Sequence, residues 1–357
     1  MLYKSAVHTY LIALFVLLLL PLTVLYVSDP YMLFHKHWFH HAQMYGNFRI
    51  QNYGLIKYGK FDGIILGSSM LENTSADEAS TKLGDNFANI SVSGVSPYER
   101  YKMLDFALNT RKIKHIIFSL DYKFHQDRII GETFIPELYS MFSIRGKIKV
   151  YSTDKALVCV FKNEGCDFIQ FGLDRPRAWF RNNRHSRRFG GFENWIKYYK
   201  TDNQIKDAFK ELKSERSNFS HSYARYKEVI DNEIMPLFKH TETEFSVIVP
   251  PYSILWWGKR KASLPQMFEP YVYLIKQTAQ YDNVRIYWFY DEDFVSDISK
   301  YKDLTHYHQA INSQMLNAIQ NHTNIIDIGN YKQKLQNFED RINSFDIDEY
   351  IQQIPQK

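Results

Sequence analysis

The chain has 357 residues, of which 45% are hydrophobic, 23% are charged and 16% are aromatic. This length suffices for one large domain or two smaller ones. The balance is that of an ordinary globular protein, which excludes a chain that is disordered throughout. The formal net charge of +5 is mild and by itself selects no class of partner.

An uncharged stretch near the N-terminus, YLIALFVLLLLPLTVLYV, extends from Tyr10 to Val27. A helix that spans a bilayer needs about 20 apolar residues, and about 17 is the lower limit. A secretory signal has a shorter apolar core and small residues at its cleavage site, whereas this stretch ends in LYVSDPY. We therefore predict an uncleaved transmembrane anchor over residues 1–28, with a removed signal peptide as the alternative. Lys4 before the span and Lys36 after it leave its orientation open.

Residues 29–58 are polar and aromatic and are predicted to connect the anchor to a folded domain. The two cysteines, Cys159 and Cys166, are compatible with a small disulfide loop in an exported protein and equally with two free thiols. Since two cysteines with no histidine at ligand spacing do not make a metal site, we expect neither a metal nor a cofactor.

From Lys60 onwards, short apolar runs alternate with amphipathic stretches, which is the pattern of βαβ units. We therefore predict an α/β domain over 59–330. Strands are predicted at 62–66, 85–90, 114–120, 244–249, 284–289 and 324–328. A helix should begin at Ser96, because Ser96 can cap it, Pro97 suits the first helical position and Glu99 completes a capping box. Further helices are predicted at about 266–281 and from the residues after His306 to about 321, and a polar tail at 331–357 is expected to be partly disordered.

A segment at about 123–243 interrupts this alternation and is predicted to be a large central insertion. It contains a cluster of arginines interleaved with aromatic residues. The members are Arg175, Arg177, Arg181, Arg184, Arg187 and Arg188, with Trp179, Phe180, Phe189, Phe192 and Trp195. Arginine pairs with carboxylates and phosphates, and aromatic faces stack on sugars and cations, so the cluster suits an anionic glycan or a lipid headgroup. The alternative is a solvated lid with an ordinary core.

Two motifs carry the predicted chemistry. Gly67-Ser68-Ser69 follows the first predicted strand, and in open α/β sheets ligands bind at the carboxyl ends of the strands. A serine there can expose its hydroxyl as a nucleophile and point its backbone N–H at a developing oxyanion, although a flexible turn has the same composition. Asp303 and His306 lie three positions apart just after the fifth strand, where a carboxylate can orient an imidazole base. His308 is the rival base.

Ser69 after the first strand, Gly94 in the loop after the second and Asp303-x-x-His306 near the C-terminus resemble the SGNH (GDSL-type) hydrolase superfamily. The resemblance covers about 60–125 and 244–330. It implies a three-layer α/β/α fold with a mainly parallel, flavodoxin-like sheet. Single-span, envelope-facing members act on acylated cell-surface polymers as O-acyltransferases or esterases. Several membrane-anchored relatives share Gly-Ser-Ser in place of the usual Gly-Asp-Ser.

The resemblance implies that Ser69 is the nucleophile, His306 the general base and then acid, and Asp303 the residue that fixes the imidazole. The backbone N–H groups of Ser69 and Gly94 would form part of the oxyanion hole. The domain is expected outside the cytoplasm, which is the periplasmic side if the cell is Gram-negative. Its expected partner is an acylated polysaccharide or another envelope polymer, and not nucleic acid. Whether a membrane partner supplies the acyl group is left open, as is hydrolase against transferase.

One position departs from the family pattern, because Asp121 stands where the family's third block supplies an oxyanion-hole Asn. Asp121 serves another purpose, or Asn89 or the insertion supplies the donor, or catalysis is impaired. Asn89, Asp121, Tyr122, Trp256 and Trp257 are candidate substrate-binding residues, the two tryptophans being equally compatible with core or membrane contact. A non-catalytic envelope protein that binds a glycan or protein partner through this fold and its insertion is the alternative function.

Overall fold

The computed structural model of the chain describes residues 2–36, 38, 48–121, 131, 133–140, 142–152, 186–214 and 225–355. The chain divides into two units by its internal contacts. The first unit comprises Met1–Lys60, Asn109–Arg111 and Glu132–Gly172. The second unit comprises Phe61–Leu108, Lys112–Gly131 and Leu173–Lys357. Part of the segment that the sequence assigns to a central insertion therefore belongs with the N-terminal residues.

The first unit begins with helix α1 (Leu2–Ser28), which contains Pro21. Its portion Ala6–Ser28 has a mean hydropathy of 2.6, and only 6% of that window is buried by the rest of the chain. By length and composition, α1 can cross a membrane, and it is the one such helix among the described residues. The structure therefore contains a candidate span where the sequence predicts an anchor.

The residues after α1 form a folded segment. The Asp29 carboxylate accepts hydrogen bonds from the backbone N–H groups of Leu33, Phe34 and His35. Helix α2 (Phe48–Tyr58) buries most of its residues. The part of the predicted connector at 48–58 is therefore a packed helix. A short 3₁₀ turn (Pro136–Leu138) and helix α5 (Ile144–Tyr151) complete the described part of this unit.

The second unit is built on a six-stranded sheet with the order β2-β1-β3-β4-β5-β6. The strands are β1 (Gly63–Leu66), β2 (Phe87–Asn89), β3 (His115–Ser119), β4 (Glu244–Val249), β5 (Val284–Trp288) and β6 (Ile325–Ile326). Strands β1 to β5 pair in parallel, and β6 is antiparallel to β5. Because both faces of a parallel sheet are covered, its central strands are continuous apolar runs, as in β1 and β3, in which every residue is buried. The predicted α/β class with a mostly parallel sheet is confirmed.

Helices connect and extend these strands. They are α3 (Ala76–Leu83), α4 (Pro97–Thr110), α6 (Phe192–Tyr198), α7 (Asn203–Lys213), α8 (Tyr226–Val229), α9 (Met235–Phe238), α10 (Ile254–Gly258), α11 (Leu264–Thr278), α12 (Gln309–Asn321), α13 (Tyr331–Ser344) and α14 (Ile347–Gln352). The Ser96 N–H donates to the Glu99 carboxylate and the Glu99 N–H donates to Ser96 Oγ, so the predicted capping box starts α4. A π-helical turn (Ile230–Ile234) joins α8 to α9.

The order of the parallel strands decides where a site can form. In a sheet of order 2-1-3-4-5, the chain turns from one side of β1 to the other, and a crevice opens between the carboxyl ends of β1 and β3. Gly67-Ser68-Ser69 directly follows β1, and Leu120-Asp121 directly follows β3. The polar residues that follow these two strands therefore flank this crevice.

The C-terminal segment differs from the sequence-based expectation. Residues 331–355 are helical for most of their length and are not disordered. Within α13, Leu335, Phe338 and Ile342 are buried in an otherwise polar sequence. Their spacing of three and four residues places them on one face, which is the pattern of a helix packed on a core. The composition of the whole tail obscured this narrow apolar stripe.

Candidate active site

The turn after β1 has room only for glycine at its first position. A Cβ on Gly67 would lie 2.6 Å from Ser119 Oγ and 2.7 Å from the Leu71 side chain. The Gly67 N–H donates to Ser91 Oγ at 3.0 Å, and the Leu71 N–H donates back to the Ser68 carbonyl at 3.1 Å. The chain therefore reverses sharply after the strand, and Ser69 remains partly exposed at the tip of the turn.

The structure brings Ser69, His306 and Asp303 together. Ser69 Oγ lies 2.7 Å from His306 Nε2, although the two residues are 237 positions apart in the sequence. His306 Nδ1 lies 2.9 Å from both carboxylate oxygens of Asp303. The side chains of His306 and Asp303 are 25% and 16% exposed, so the relay is open enough for a substrate to reach. This is the arrangement of a nucleophile, its base and the acceptor that orients the base.

One carboxylate fixes both the backbone and the ring of His306. Asp303 Oδ1 accepts from the backbone N–H groups of Thr305 at 3.0 Å and His306 at 2.9 Å, which closes a tight turn. On either side, Tyr301 and Tyr307 form an isolated β-bridge and are fully buried. The spacing Asp-x-x-His therefore follows from a tight turn that the Asp303 carboxylate stabilises. The turn packs on the two buried tyrosines.

The charge of Asp303 determines the tautomer of the imidazole. Burial opposes ionisation, but the charge that His306 carries when it is protonated, the hydrogen bonds from His306 and the charge of Lys302 hold the pKa of Asp303 well below its usual range. An ionised carboxylate can only accept, so Nδ1 of His306 carries the proton. Nε2 is then free of a proton and accepts from the Ser69 hydroxyl, which is the direction of transfer that activates a serine.

His308, the rival base, has a structural role. Its Nδ1 accepts from the Ala310 N–H at 3.1 Å and caps the N-terminus of α12. Burial and the nearby Lys300 lower the pKa of its imidazole. Its ring meets Phe189 edge-on, with centroids 5.1 Å apart. The structure thus assigns the two histidines to different tasks.

Asp121 lies in a buried network beneath the serine turn. Its Oδ1 accepts from Ser68 Oγ–H at 2.6 Å, and its Oδ2 accepts from Arg100 Nη1–H at 2.9 Å and from Ser119 Oγ–H at 3.0 Å. Ser68 Oγ in turn accepts from the Met70 N–H at 3.3 Å. The charge that raised doubt about an oxyanion is therefore compensated by an arginine. Of the alternatives that the sequence left open, the structure supports another purpose for Asp121, namely support of the residue before Ser69.

Sequence reasoning missed Arg100. It is 4% exposed, lies on α4 and also donates from Nη1 to the Ser119 carbonyl oxygen. The signal that was available is an arginine four residues after the cap Ser96, one turn into a helix at positions that otherwise bury apolar side chains. Such an arginine needs a buried acid, and Asp121 at the end of the third strand is the nearest unexplained one.

Asn89 lies behind the serine turn rather than at its surface. Its side chain is fully buried, and its Nδ2 donates to the carbonyl oxygens of Leu71 and Thr74, each at 2.8 Å. Its Oδ1 accepts from the Ser91 N–H at 3.0 Å. With both polar atoms engaged in this way, Asn89 joins β2 to the turn that follows Ser69. The alternative in which it donates to an oxyanion does not fit this placement.

Gly94 lies in the exposed loop between β2 and α4, with a φ of +63°. That backbone conformation favours glycine. In the same loop, the Ser93 N–H donates to Glu72 Oε1 at 3.0 Å. The contribution of the Ser69 and Gly94 N–H groups to an oxyanion hole stays a prediction.

Trp256 and Trp257 belong to the core of the second unit. They are 1% and 0% exposed on α10 and meet edge-to-face at 4.9 Å. Trp257 also packs edge-on against Tyr290 and Phe338. Of the three placements that the sequence allowed for this pair, the structure shows the core, and neither forms the wall of a substrate site.

Several predicted features lie outside the described residues. They are Tyr122, Cys159, Cys166, Arg175, Arg177, Trp179, Phe180, Arg181 and Arg184. Of the described members of the arginine and aromatic cluster, Arg188, Phe192 and Trp195 are buried, and Arg187 and Phe189 are half-buried. Arg188 is fully buried and pairs with Asp202 at 2.8 Å, and the Trp195 Nε1–H donates to the Arg188 carbonyl at 2.9 Å. This part of the cluster is a small core with a buried ion pair.

A cleft of about 250 Å³ opens beside the imidazole. One wall is the turn at 303–306, and the other is α7, which contributes Gln204, Asp207, Ala208 and Glu211. The residues that line it include His306 and Asp303 but not Ser69, so the cleft lies on the carboxylate side of the imidazole. Among the described residues, no group of three or more His, Cys, Asp or Glu side chains is arranged to hold a metal ion.

No protein-family model and no curated protein matches the chain. The motifs and the geometry around Ser69 therefore carry the functional argument alone.

Proposed function

We propose that the chain is a membrane-anchored serine esterase or O-acyltransferase of SGNH type. In this proposal α1 is the anchor, and the second unit lies outside the cytoplasm and acts on an acyl ester of a polysaccharide or another envelope polymer. The observation that carries the proposal is the continuous relay from Ser69 Oγ through His306 to Asp303, with distances of 2.7 Å and 2.9 Å. A three-layer arrangement with a central insertion is part of the same proposal, which the strand order supports.

The first half of the reaction forms an acyl-enzyme. Ser69 Oγ attacks the carbonyl carbon of the ester while His306 Nε2 takes the hydroxyl proton. The resulting oxyanion is stabilised by backbone N–H groups, for which Ser69 and Gly94 are the candidates. His306 then gives its proton to the departing alkoxide, and the acyl group remains on Ser69. Asp303 stays ionised and stabilises the imidazolium throughout.

The second half distinguishes an esterase from an acyltransferase. His306 takes a proton from water or from an acceptor hydroxyl, and the oxygen attacks the acyl carbonyl. Collapse of the second intermediate returns the proton to Ser69 Oγ. Both reactions use the same side chains, and the difference is whether an acceptor occupies the cleft and keeps water out.

The test uses the full-length chain in detergent, with p-nitrophenyl acetate as substrate and a fluorophosphonate probe for the reactive serine. Ser69→Ala and His306→Ala are each expected to lower turnover by about 10⁴-fold or more, because either change interrupts the relay. Ser344→Ala, at an exposed serine near the end of α13, is the matched control and should behave as wild type.

Turnover that survives in Ser69→Ala would move the nucleophile elsewhere. A folded wild-type chain that neither turns over the ester nor reacts with the probe would favour the non-catalytic binding function instead.

A further inference from the structure

Exposed apolar side chains gather in the unit that carries α1. Outside α1, the described residues contain five large hydrophobic side chains that are exposed, and four of them belong to the first unit. They are Trp38 at 54%, Phe142 at 95%, Ile144 at 57% and Ile148 at 58%, whereas Ile328 at 54% is the one in the second unit. Soluble surfaces scatter such residues singly, so a local concentration indicates an interaction surface.

Two faces of helix α5 pack against other residues of the first unit. Gly146 and Val150 are buried, and a Cβ on Gly146 would lie 2.5 Å from the Leu138 backbone nitrogen. Lys147 and Tyr151 contact the segment that follows α1. Lys147 Nζ lies 5.0 Å above the Phe34 ring, and Tyr151 stacks on the same ring with centroids 5.9 Å apart.

The remaining surface of α5 is amphipathic. At 100° per residue, Ile144 and Ile148 form a stripe directly beside the face of Lys147 and Tyr151. The stripe is followed around the helix by the exposed Arg145 and Lys149. Apolar side chains next to basic ones are typical of helices that lie in the headgroup layer of a bilayer.

We propose that Phe142, Ile144 and Ile148 insert into the headgroup layer of the membrane that α1 spans, so that α5 is a second, interfacial membrane contact. The inference rests on the anchor in the proposed function and not on the chemistry at Ser69. Arg145 is placed to pair with anionic lipid headgroups, whereas Lys149 Nζ lies 3.8 Å from the exposed Glu137 carboxylate.

The position of α5 along the chain supports a bilayer as the occupant. The Tyr151 hydroxyl donates to the Asp29 carboxylate, and Asp29 directly follows the last residue of α1. At 1.5 Å per residue, Ile148 lies about 4.5 Å along α5 from Tyr151 and Ile144 about 10 Å. Each headgroup layer of a bilayer is about 5–8 Å thick, which is enough to include Ile148. Ile144 lies at the same depth when α5 lies in the plane of the layer, as interfacial helices do.

A cluster of aromatic side chains lies at the C-terminal end of α1, where the proposed span would leave the hydrocarbon core. His35 and Trp38 stack with centroids 3.9 Å apart, and Tyr26 meets Trp38 edge-on at 6.1 Å. Tyr26 and Trp38 are 48% and 54% exposed. Tyrosine and tryptophan concentrate where the hydrocarbon meets water, because their rings are apolar and their edges are polar.

The test measures the depth of nitroxide labels on the full-length chain, with Cys159 and Cys166 replaced by alanine. Labels at Ile144→Cys and Ile148→Cys are compared with one at Lys332→Cys, an exposed position on α13. The chain is reconstituted in vesicles of equimolar phosphatidylglycerol and phosphatidylethanolamine. Collision with oxygen, which partitions into lipid, is compared with collision with a water-soluble nickel chelate.

We expect the ratio of oxygen to nickel collisions at both isoleucine positions to exceed the ratio at Lys332 several-fold. Equal ratios at all three positions would overturn the proposal. The proposal would also be overturned if the labels were accessible to water in pure lipid vesicles but protected in native membranes. That result would mean that another membrane protein covers this surface. Reaction of the same samples with a fluorophosphonate reports on Ser69 separately, so a failure of either idea is distinguishable from a failure of the other.

Discussion

The imidazole of His306 is held by a single carboxylate, which accepts from its backbone N–H and from its ring nitrogen. This double attachment makes the tautomer of His306 depend on Asp303. An amide at position 303 would keep the size of the side chain but would not demand a proton on Nδ1. The relay is therefore more sensitive to the charge at 303 than to the volume there.

We predict that Asp303→Asn lowers kcat on p-nitrophenyl acetate by about 10⁴-fold with little change in KM, because the imidazole loses the tautomer that accepts from Ser69. His308→Asn is the control, since asparagine also caps a helix N-terminus, and it should retain wild-type activity. Activity of Asp303→Asn within tenfold of wild type would show that the carboxylate is not needed.

Asp121 and Arg100 form a buried ion pair that contacts Ser68, the residue directly before the nucleophile Ser69. Because Asp121 accepts from Ser68 at 2.6 Å, it fixes the backbone from which Ser69 projects. Removal of only one member of the buried pair leaves the other charge without compensation, which costs about 3–5 kcal/mol of stability.

We predict that the double variant Arg100→Gln, Asp121→Asn folds, because both charges are removed together, but loses about 10–100-fold in kcat as the serine turn loosens. Melting temperature and kcat are measured on the same preparation. A rise in kcat in the double variant would contradict this prediction. It would mean that the Asp121 charge repels the oxyanion instead of stabilising the turn.

At the scale of elements, α13 closes the aromatic core of the second unit. The Phe338 ring stacks on Tyr290 with centroids 4.3 Å apart and meets Trp257 and Trp288 edge-on. Phe338 is 1% exposed. The helix is therefore part of the domain and not an appendage to it.

We predict that Phe338→Ala lowers the free energy of unfolding by about 3–5 kcal/mol, because it leaves a cavity among the four rings that Phe338 contacts, which are those of Trp257, Phe268, Trp288 and Tyr290. Asn337→Ala, at the exposed neighbouring position, should stay within about 0.5 kcal/mol of wild type. Denaturant unfolding followed by tryptophan fluorescence measures both. If Phe338→Ala lowered the free energy of unfolding by less than about 1 kcal/mol, α13 would not contribute to the core of the domain.

At the scale of the whole molecule, α1 would tether a Ser69 relay to a membrane surface. The two features are independent, since α1 is defined by its length and hydropathy and the relay by interatomic distances. A tether would keep the proposed catalytic unit close to substrates of the envelope, and for that reason the anchor and the relay are proposed together.

We predict that the full-length chain stays in the membrane fraction after alkaline carbonate extraction. With the two native cysteines replaced by alanine, Lys332→Cys should react with a membrane-impermeant maleimide in intact cells, because the second unit is proposed to lie outside the cytoplasm. Labelling that needs lysed cells would place the unit inside and would contradict the envelope polymer as substrate.

The sequence by itself determined the strands of the sheet, the start of α4 and the residue types of the relay. It could do so because apolar runs, capping boxes and strand-end polar residues are local signals, and strand order in an α/β sheet brings carboxyl ends to one edge. Ser69, His306 and Asp303 were identified for that reason.

Only the tertiary structure decided which polar groups are compensated and which aromatic residues are covered. Arg100 meets Asp121 across 21 positions and Trp257 meets Phe338 across 81, and no periodicity encodes either contact. The same holds for the exposed stripe on α5, because a pattern of apolar residues predicts a buried face whether the cover is protein or lipid. Burial and charge compensation depend on packing between distant segments, and packing exists only once the chain has folded.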